Sequence, residues 1–221
     1  MNKNCDLSIQ ALKEEIRQKY DRFAPWYDLV DGVQEFLGVK RLRRKLVQRA
    51  SGKVLEIAVG TGKNLRYYPR ACWLTALDLT PAMLEIARKR SERLGLNATF
   101  LVMDAEALAF PDQSFDTVVS SLSLCTFPDP VAALREMARV CRADGRILLL
   151  EHGRSEREWL GRWQDRRAHR HAKALGCRWN REPLELAHQA RLTLIAARRT
   201  FFGIFHEIEA MPSGTASTDM V

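Results

Sequence analysis

The sequence lacks any apolar run approaching the roughly 18 residues that a membrane-spanning helix needs, so a bilayer-crossing chain is not expected. Cysteine is sparse: Cys5, Cys72, Cys125, Cys141 and Cys177 are odd in number, widely spaced and never in a CxxC pair. That spacing suggests neither a disulfide framework nor a zinc site, and no metal ligand set is expected. With 12 Gly and 8 Pro in 221 residues, a collagen-like repeat and a Pro/Gly-rich disordered chain are excluded. The N-terminus, MNKNCDLSIQALKEEIRQ, lacks the apolar core of a secretory signal, and Glu14 and Glu15 argue against a transit peptide. A reducing compartment, most simply the cytoplasm, is the expectation. What is present is 46% hydrophobic and 28% charged residues, enough for one larger domain with an ample core. The 35 Lys+Arg against 27 Asp+Glu leave a formal charge of +8, which favours anionic partners without choosing among nucleic acid, acidic membrane and phosphorylated small molecules. A basic chain that binds none of these is equally consistent.

Apolar side chains at Leu7, Leu12, Ile16 and Tyr20 predict a helix over 7–22, followed by an aromatic-rich segment, Tyr20 to Asp31, interrupted by Pro25. A second helix is expected over 35–50. Its Arg41, Lys45 and Arg49 fall four apart and share a face, which reads as a solvated surface or as an anion or membrane contact. Short, nearly continuous apolar runs then predict strands over 53–59, 73–77, 99–103, 115–122 and 146–151, the last reached through a turn at Arg142 to Gly145. Helices are expected after the first strand, over 80–94, where Thr80 can cap and Gly95 terminates, and over 130–141. From His152 to Arg181 the pattern loosens into a Trp-rich segment in which nine Lys and Arg outnumber the acids. Helical spacing resumes over 182–191, and 192–202 and 204–211 predict a hairpin turning near Gly203. Strands alternating with helices imply an α/β fold: a doubly wound, Rossmann-like, mostly parallel seven-stranded sheet with an antiparallel C-terminal hairpin and an N-terminal helical lid. The expected division is a lid over 1–50, a binding core over 51–153, a substrate-side segment with the hairpin over 154–212, and a disordered tail over 213–221.

Three successive strand ends carry chemistry: Gly60-Thr61-Gly62, Asp78, and Asp104-Ala105. In a doubly wound sheet these ends lie on one rim, where glycines admit a ligand close to the backbone and a carboxylate can accept from both ribose hydroxyls. A dinucleotide fingerprint needs a small third residue, and Leu65 stands there instead. Glu56, just before the loop, would repel a phosphate and suit a cofactor bearing sulfonium and ammonium charges.

The runs VLEIAVGTG (54–62), ALDLTPAML (76–84), MDAEALAFP (103–111) and Phe115-Asp116 resemble the successive motifs of class I S-adenosylmethionine-dependent methyltransferases. More narrowly, they are similar to the methyltransferase type 11, UbiE-like group, over about residues 20–153. The resemblance implies S-adenosylmethionine as cofactor, with Glu56 to Gly62 flanking its methionine moiety, Ala58 included. It implies Asp78, beside Leu79, on the ribose, Met83 on the adenine face, and Asp104 and Ala105 at the adenine edge. Ser121 and Leu122 would form the floor beneath the sulfonium. Ala58 departs from the family, which usually has glycine there, and an ordinary strand-end conformation is expected for it. Tyr20 and Tyr27 resemble lid tyrosines that close over the methionine end; a helix packed by aromatic residues is the alternative.

Transfer from a sulfonium is an in-line displacement, so the protein must align the partners and exclude water, and needs a base only if the acceptor loses a proton. His152, just past the fifth strand, is the candidate catalytic base, with Glu151 next. Trp159, Trp163, Cys177 and Trp179 among arginines suit a lipophilic or amphipathic acceptor, such as a quinone, a phospholipid amine or a thiol, approached from an anionic membrane surface. Nucleic acid is not an expected partner, since no Asn-Pro-Pro-Tyr-type motif or RNA-binding module is visible. The competing reading is a cofactor-binding scaffold or assembly factor with little catalysis.

Overall fold

The computed structural model describes residues Lys3–Ser213. Strands β1 (Lys53–Ile57), β2 (Trp73–Asp78), β3 (Ala98–Val102), β4 (Phe115–Ser121), β5 (Cys141–His152), β6 (Thr193–Thr200) and β7 (Phe205–Met211) form one sheet in the order β3-β2-β1-β4-β5-β7-β6. The first five run parallel, whereas β7 is antiparallel to both β5 and β6. The expected seven strands and C-terminal hairpin are therefore present. Strand order reverses between β1 and β4, and the crevice at the carboxyl ends of those strands is where such sheets bind ligands.

Alternate residues of the central strands feed two cores, which explains their nearly continuous apolar runs. Leu55, Ile57, Val118, Ile147 and Leu149 join one core with α4 (Pro130–Val140) and α6 (Pro183–Gln189). Val54, Leu74, Val119, Leu148 and Leu150 join the other with α2 (Lys40–Val47) and α3 (Pro81–Leu94). Helix α4 begins at Asp129, whose side chain accepts from Val131 and Ala132 N–H, and α3 ends at Gly95 with φ 61°. Thr80 occupies the N-cap position of α3 but contributes no side-chain cap bond. The carboxylate that accepts the Ala82 N–H, at 3.2 Å, comes instead from Asp21 of the N-terminal helix.

Several expectations are corrected. The break at Pro25 does not occur: α1 runs unbroken from Lys3 to Gln34 with Pro25 inside it. Proline removes one helical hydrogen bond, and docking through Asp21 and Asp28 on either side holds the helix together. The stretch expected as one helix over 35–50 opens instead with a π-type turn, Glu35–Val39, where Gly38 has φ 122°, before α2. The helix expected after the glycine loop is a single 3-10 turn, Leu65–Tyr67, because only five residues separate it from β2. Arg142 to Gly145 is an irregularity inside β5, where the register jumps from Phe115↔Cys141 to Thr117↔Arg146. The loose segment after His152 contains an 18-residue helix, α5 (Glu158–Leu175). Its inner face mixes Leu160, Gly161 and Gln164, so it carries no apolar stripe to reveal it. The tail from residue 214 lies outside the described residues.

Two of the three cations sharing a face of 35–50 are spent internally. Lys45 lies 3.5 Å from Glu207, and Arg49 pairs with Glu209 on the same strand. Arg43 is buried, contacting Glu35 at 2.6 Å and Asn64 at 3.3 Å. Among the described residues, no helix is long and apolar enough to cross a membrane.

Candidate active site

The ends of β1, β2, β3 and β4 converge on one crevice roofed by α1. Its wall includes Tyr20, Tyr27, Glu56, Ala58, Gly60, Asp78, Leu79, Met83, Asp104, Ala105, Ser121 and Leu122. Gly62 is the exception among the predicted residues: a Cβ there would meet Leu65 at 2.6 Å and Ala87 at 3.2 Å, so its bare backbone serves packing on α3 rather than the crevice. At Gly60 a Cβ would meet nothing within 4 Å, leaving room beside the backbone for a ligand.

Asp78 is the hub of this rim. Gly60 N–H donates to its Oδ2 at 2.8 Å and Thr80 N–H to its Oδ1 at 2.9 Å. Burial pushes its carboxyl upward in pKa, and the two backbone donors work against that shift. Each oxygen keeps a lone pair for a further donor. Glu56 is buried more deeply, and burial raises it to about 7 despite the hydrogen bond from Asn64. Asn64 Nδ2 donates to its Oε1 at 2.8 Å and to Ser121 Oγ at 3.0 Å. The second oxygen, Oε2, is buried with no hydrogen-bond partner among the described residues, and the Tyr68 hydroxyl is a polar neighbour of this carboxylate. An unpaired buried carboxylate oxygen on a ligand crevice asks for a cationic donor. Apolar Leu79 and Met83, a ribose-suited carboxylate and this orphan oxygen together fit an adenosine bearing a positively charged amino-acid end.

The roof is fastened by charges. Asp28 of α1 accepts from Thr61 Oγ1 at 2.7 Å and pairs with Arg90 of α3. Lys13 reaches Asp104 at 2.6 Å and Glu106 at 2.7 Å. Sequence reasoning missed Lys13, Asn64 and Arg43, because an exposed-looking lysine on an amphipathic helix and a polar residue in a turn carry no periodic signal.

Ala58 has φ 51°, in the left-handed region that disfavours a side chain, not the ordinary strand-end conformation expected. Ala58→Gly should therefore raise unfolding free energy by about 1 kcal/mol, the relief of left-handed strain less the extra unfolded-state entropy. Urea denaturation midpoints measure this; a lower midpoint in the variant would contradict the strain.

A second, wider cavity of about 700 Å³ opens beyond Tyr20, Tyr27 and Leu122, which line both spaces. Phe23, Leu160, Trp163, Trp179 and Ile204 give it apolar walls. Trp163 and Trp179 pack at 5.1 Å between ring centroids, and His171 stacks on Trp179 at 4.0 Å. Gln164 is turned inward, donating to the Gly153 carbonyl and accepting from Ser155 N–H. His152 lies on this cavity rather than on the first crevice, with its Nε2 3.5 Å from Cys177 Sγ. A hydrogen bond from Cys125 first, then His152, pulls the Cys177 thiol down in pKa, and Cys125 goes up as its donor. Burial works against the charged form of His152, but Cys177 and Glu151 outweigh it and raise the imidazole. Glu151, the other candidate base, is fully buried; its oxygens accept from Ser120 Oγ, Ser123 N–H and Leu124 N–H, so it braces the β4 loop instead of facing the cavity.

Residues 55–149 match the family model described as a methyltransferase domain. The methyltransferase OMS1, mitochondrial, of Saccharomyces cerevisiae is 33% identical over 206 residues, 83% of this chain and 43% of that one. A phosphatidylethanolamine N-methyltransferase of Cereibacter sphaeroides is 40% identical over 108 residues, 48% of this chain and 53% of the other. A demethylmenaquinone methyltransferase of Thermus thermophilus is 36% identical over 139 residues, 60% of this chain and 63% of the other. This chain thus spans about half the length of these relatives. Among solved structures, the YcgJ protein of Bacillus subtilis superposes with a TM-score of 0.60 at 25% identity, covering 75% of this chain and 73% of that one. The glycine loop, the buried Asp78, the strand order with an antiparallel β7 and these likenesses agree: residues 55–149 form a methyltransferase domain similar to those of S-adenosylmethionine-dependent enzymes, on the same mixed seven-stranded fold.

Proposed function

We propose that this protein transfers the methyl group of S-adenosylmethionine to a small lipophilic or amphipathic acceptor held in the 700 Å³ cavity. The observation that carries the reading is the junction of the two spaces: a charged crevice suited to the cofactor and an aromatic chamber share Tyr20, Tyr27 and Leu122. The cofactor supplies an already activated methyl group, so the chain's part is alignment and exclusion of water. Asp78 would hold the ribose hydroxyls, Glu56 the ammonium, Met83 and Leu79 the adenine, with Asp104 and Ala105 at its edge. Gly60, Ala58 and Ser121 would shape the methionine end, and Tyr20 and Tyr27 would shield the transfer point from solvent. The free space beneath α1 is about 110 Å³, well under the roughly 300 Å³ of the smallest typical ligand sites, so cofactor binding requires α1 side chains to give way, Lys13 first.

The acceptor belongs to the class of quinones, phospholipid amines or thiols. Similar enzymes are named for a phospholipid and a quinone, and the chamber's walls are largely apolar. Where the acceptor atom carries a proton, His152 beside Cys177 is in position to take it. Exposed Trp159, Phe201 and Phe202, at 69%, 45% and 62% of full accessibility, support peripheral approach to a membrane.

Radiolabelled methyl transfer into separated quinone, phospholipid and low-molecular-weight thiol fractions tests the reading. Label in one fraction, lost when Leu160→Trp fills the chamber while cofactor affinity holds within about twofold, is expected. Cofactor binding without label in any fraction would favour a scaffold and overturn it.

A further inference from the structure

Three side chains read from the sequence as unrelated meet at the chamber wall. Cys125 follows β4, His152 ends β5, and Cys177 follows α5. One donor atom from each lies within 4.8 Å of the others. The spacing from Cys177 Sγ to His152 Nε2 is 3.5 Å. A tetrahedral zinc ion with bonds of about 2.3 Å to sulfur and about 2.0–2.1 Å to nitrogen spans an S···N edge of about 3.6 Å, so this pair already has the separation of two ligands.

The surroundings hold these donors in place. Arg178 N–H donates to the Cys125 carbonyl at 2.9 Å, and Arg181 binds the Leu124 and Phe127 carbonyls, the latter at 2.8 Å. The two cysteine-bearing loops are thereby latched together. Glu151 cannot complete the set, since Ser120, Ser123 and Leu124 occupy its oxygens. All three donors line the chamber, so a fourth coordination position would open into it.

We propose that Cys125, His152 and Cys177 form a binding site for a soft divalent cation, Zn²⁺ by the Cys₂His ligand set, with its open position facing the chamber. Binding releases two protons to solvent, the Cys125 thiol proton and the one shared by Cys177 and His152, leaving two thiolates and a neutral imidazole as ligands. The cation would then acidify whatever water or acceptor atom takes the fourth place. The site stands whether or not the acceptor reading above holds.

The full chain, stripped by chelator and kept reduced, is titrated with Co²⁺ and separately with Zn²⁺ against a chromophoric chelator. One Co²⁺ per chain with a thiolate-to-cobalt charge-transfer band and intense tetrahedral d–d bands is expected. Cys125→Ser and Cys177→Ser should each weaken Zn²⁺ binding by more than the roughly 100-fold that loss of a supporting contact costs. Cys72→Ser and Cys141→Ser should leave it unchanged. Unchanged circular dichroism and cofactor affinity in the four variants establish that the losses are local. No cobalt spectrum, wild-type Zn²⁺ affinity in the Cys125 or Cys177 variant, or a Cys125–Cys177 disulfide in place of the metal would each overturn the site.

Discussion

Replacing Asp78 with Ala should weaken S-adenosylmethionine binding by roughly 2–3 kcal/mol, about 30- to 150-fold in dissociation constant. The carboxylate sits at the end of β2 with 8% of its surface exposed, and its two backbone donors aim the remaining lone pairs along the rim. Two charge-assisted hydrogen bonds to a ribose would be lost together. Alanine also orphans the N–H groups of Gly60 and Thr80, so Asp78→Asn is the necessary companion: its carbonyl keeps one acceptor while the charge is gone. Calorimetric titration of both variants should rank wild type, Asn, then Ala. Wild-type affinity in the Ala variant would show that the ribose does not lie on Asp78.

Glu56→Gln should act in opposite directions on stability and on cofactor binding. Burial raises the folded-state pKa of Glu56 to about 7, from an ordinary 4.5. The stabilisation linked to its protonated form is complete below the unfolded pKa and is lost as pH rises through about 7. At pH 8 the ligand-free chain thus holds a buried charge that Asn64 and Arg43 offset only in part, a cost on the order of 3 kcal/mol. Glutamine removes that charge while its carbonyl still accepts from Asn64, so urea midpoints at pH 8 should rise in the variant and change little at pH 5. Glu151, also raised to about 7 by burial, contributes a similar share that the substitution leaves intact. The cofactor ammonium is the compensating charge, so wild-type affinity should tighten as pH rises from 6 to 8, and the Gln variant should bind weakly with a flat pH profile. A wild-type affinity that does not vary with pH across this window would remove Glu56 from the ammonium.

The crevice at the strand ends was legible because its parts are local. A strand-ending glycine loop, a strand-ending aspartate and an Asp-Ala pair each announce themselves within a few residues, and eleven of the twelve predicted crevice residues line it. The exception, Gly62, shows that one glycine of a pair can serve helix packing while the other leaves open space beside the backbone. The lid was half legible. Tyr20 and Tyr27 line the crevice beneath α1, but Pro25 misled, because the bonds that keep α1 whole join Asp21 to Ala82 and Asp28 to Thr61, 61 and 33 residues away. Likewise Arg49 and Lys45 read as free surface charge until β7 brought Glu209 and Glu207 beneath them.

The sequence by itself determined the sheet, its parallel core and the rim on which the adenosine would lie, since hydrophobic periodicity and turn residues act between near neighbours. Tertiary structure alone decided the rest: that Ala58 is forced to positive φ, that α5 closes an aromatic chamber, and that Cys125, His152 and Cys177 stand together. Such contacts join residues 25 to 52 positions apart through loops whose conformation is set by long-range hydrogen bonds, and no local pattern in the chain encodes where those loops will land.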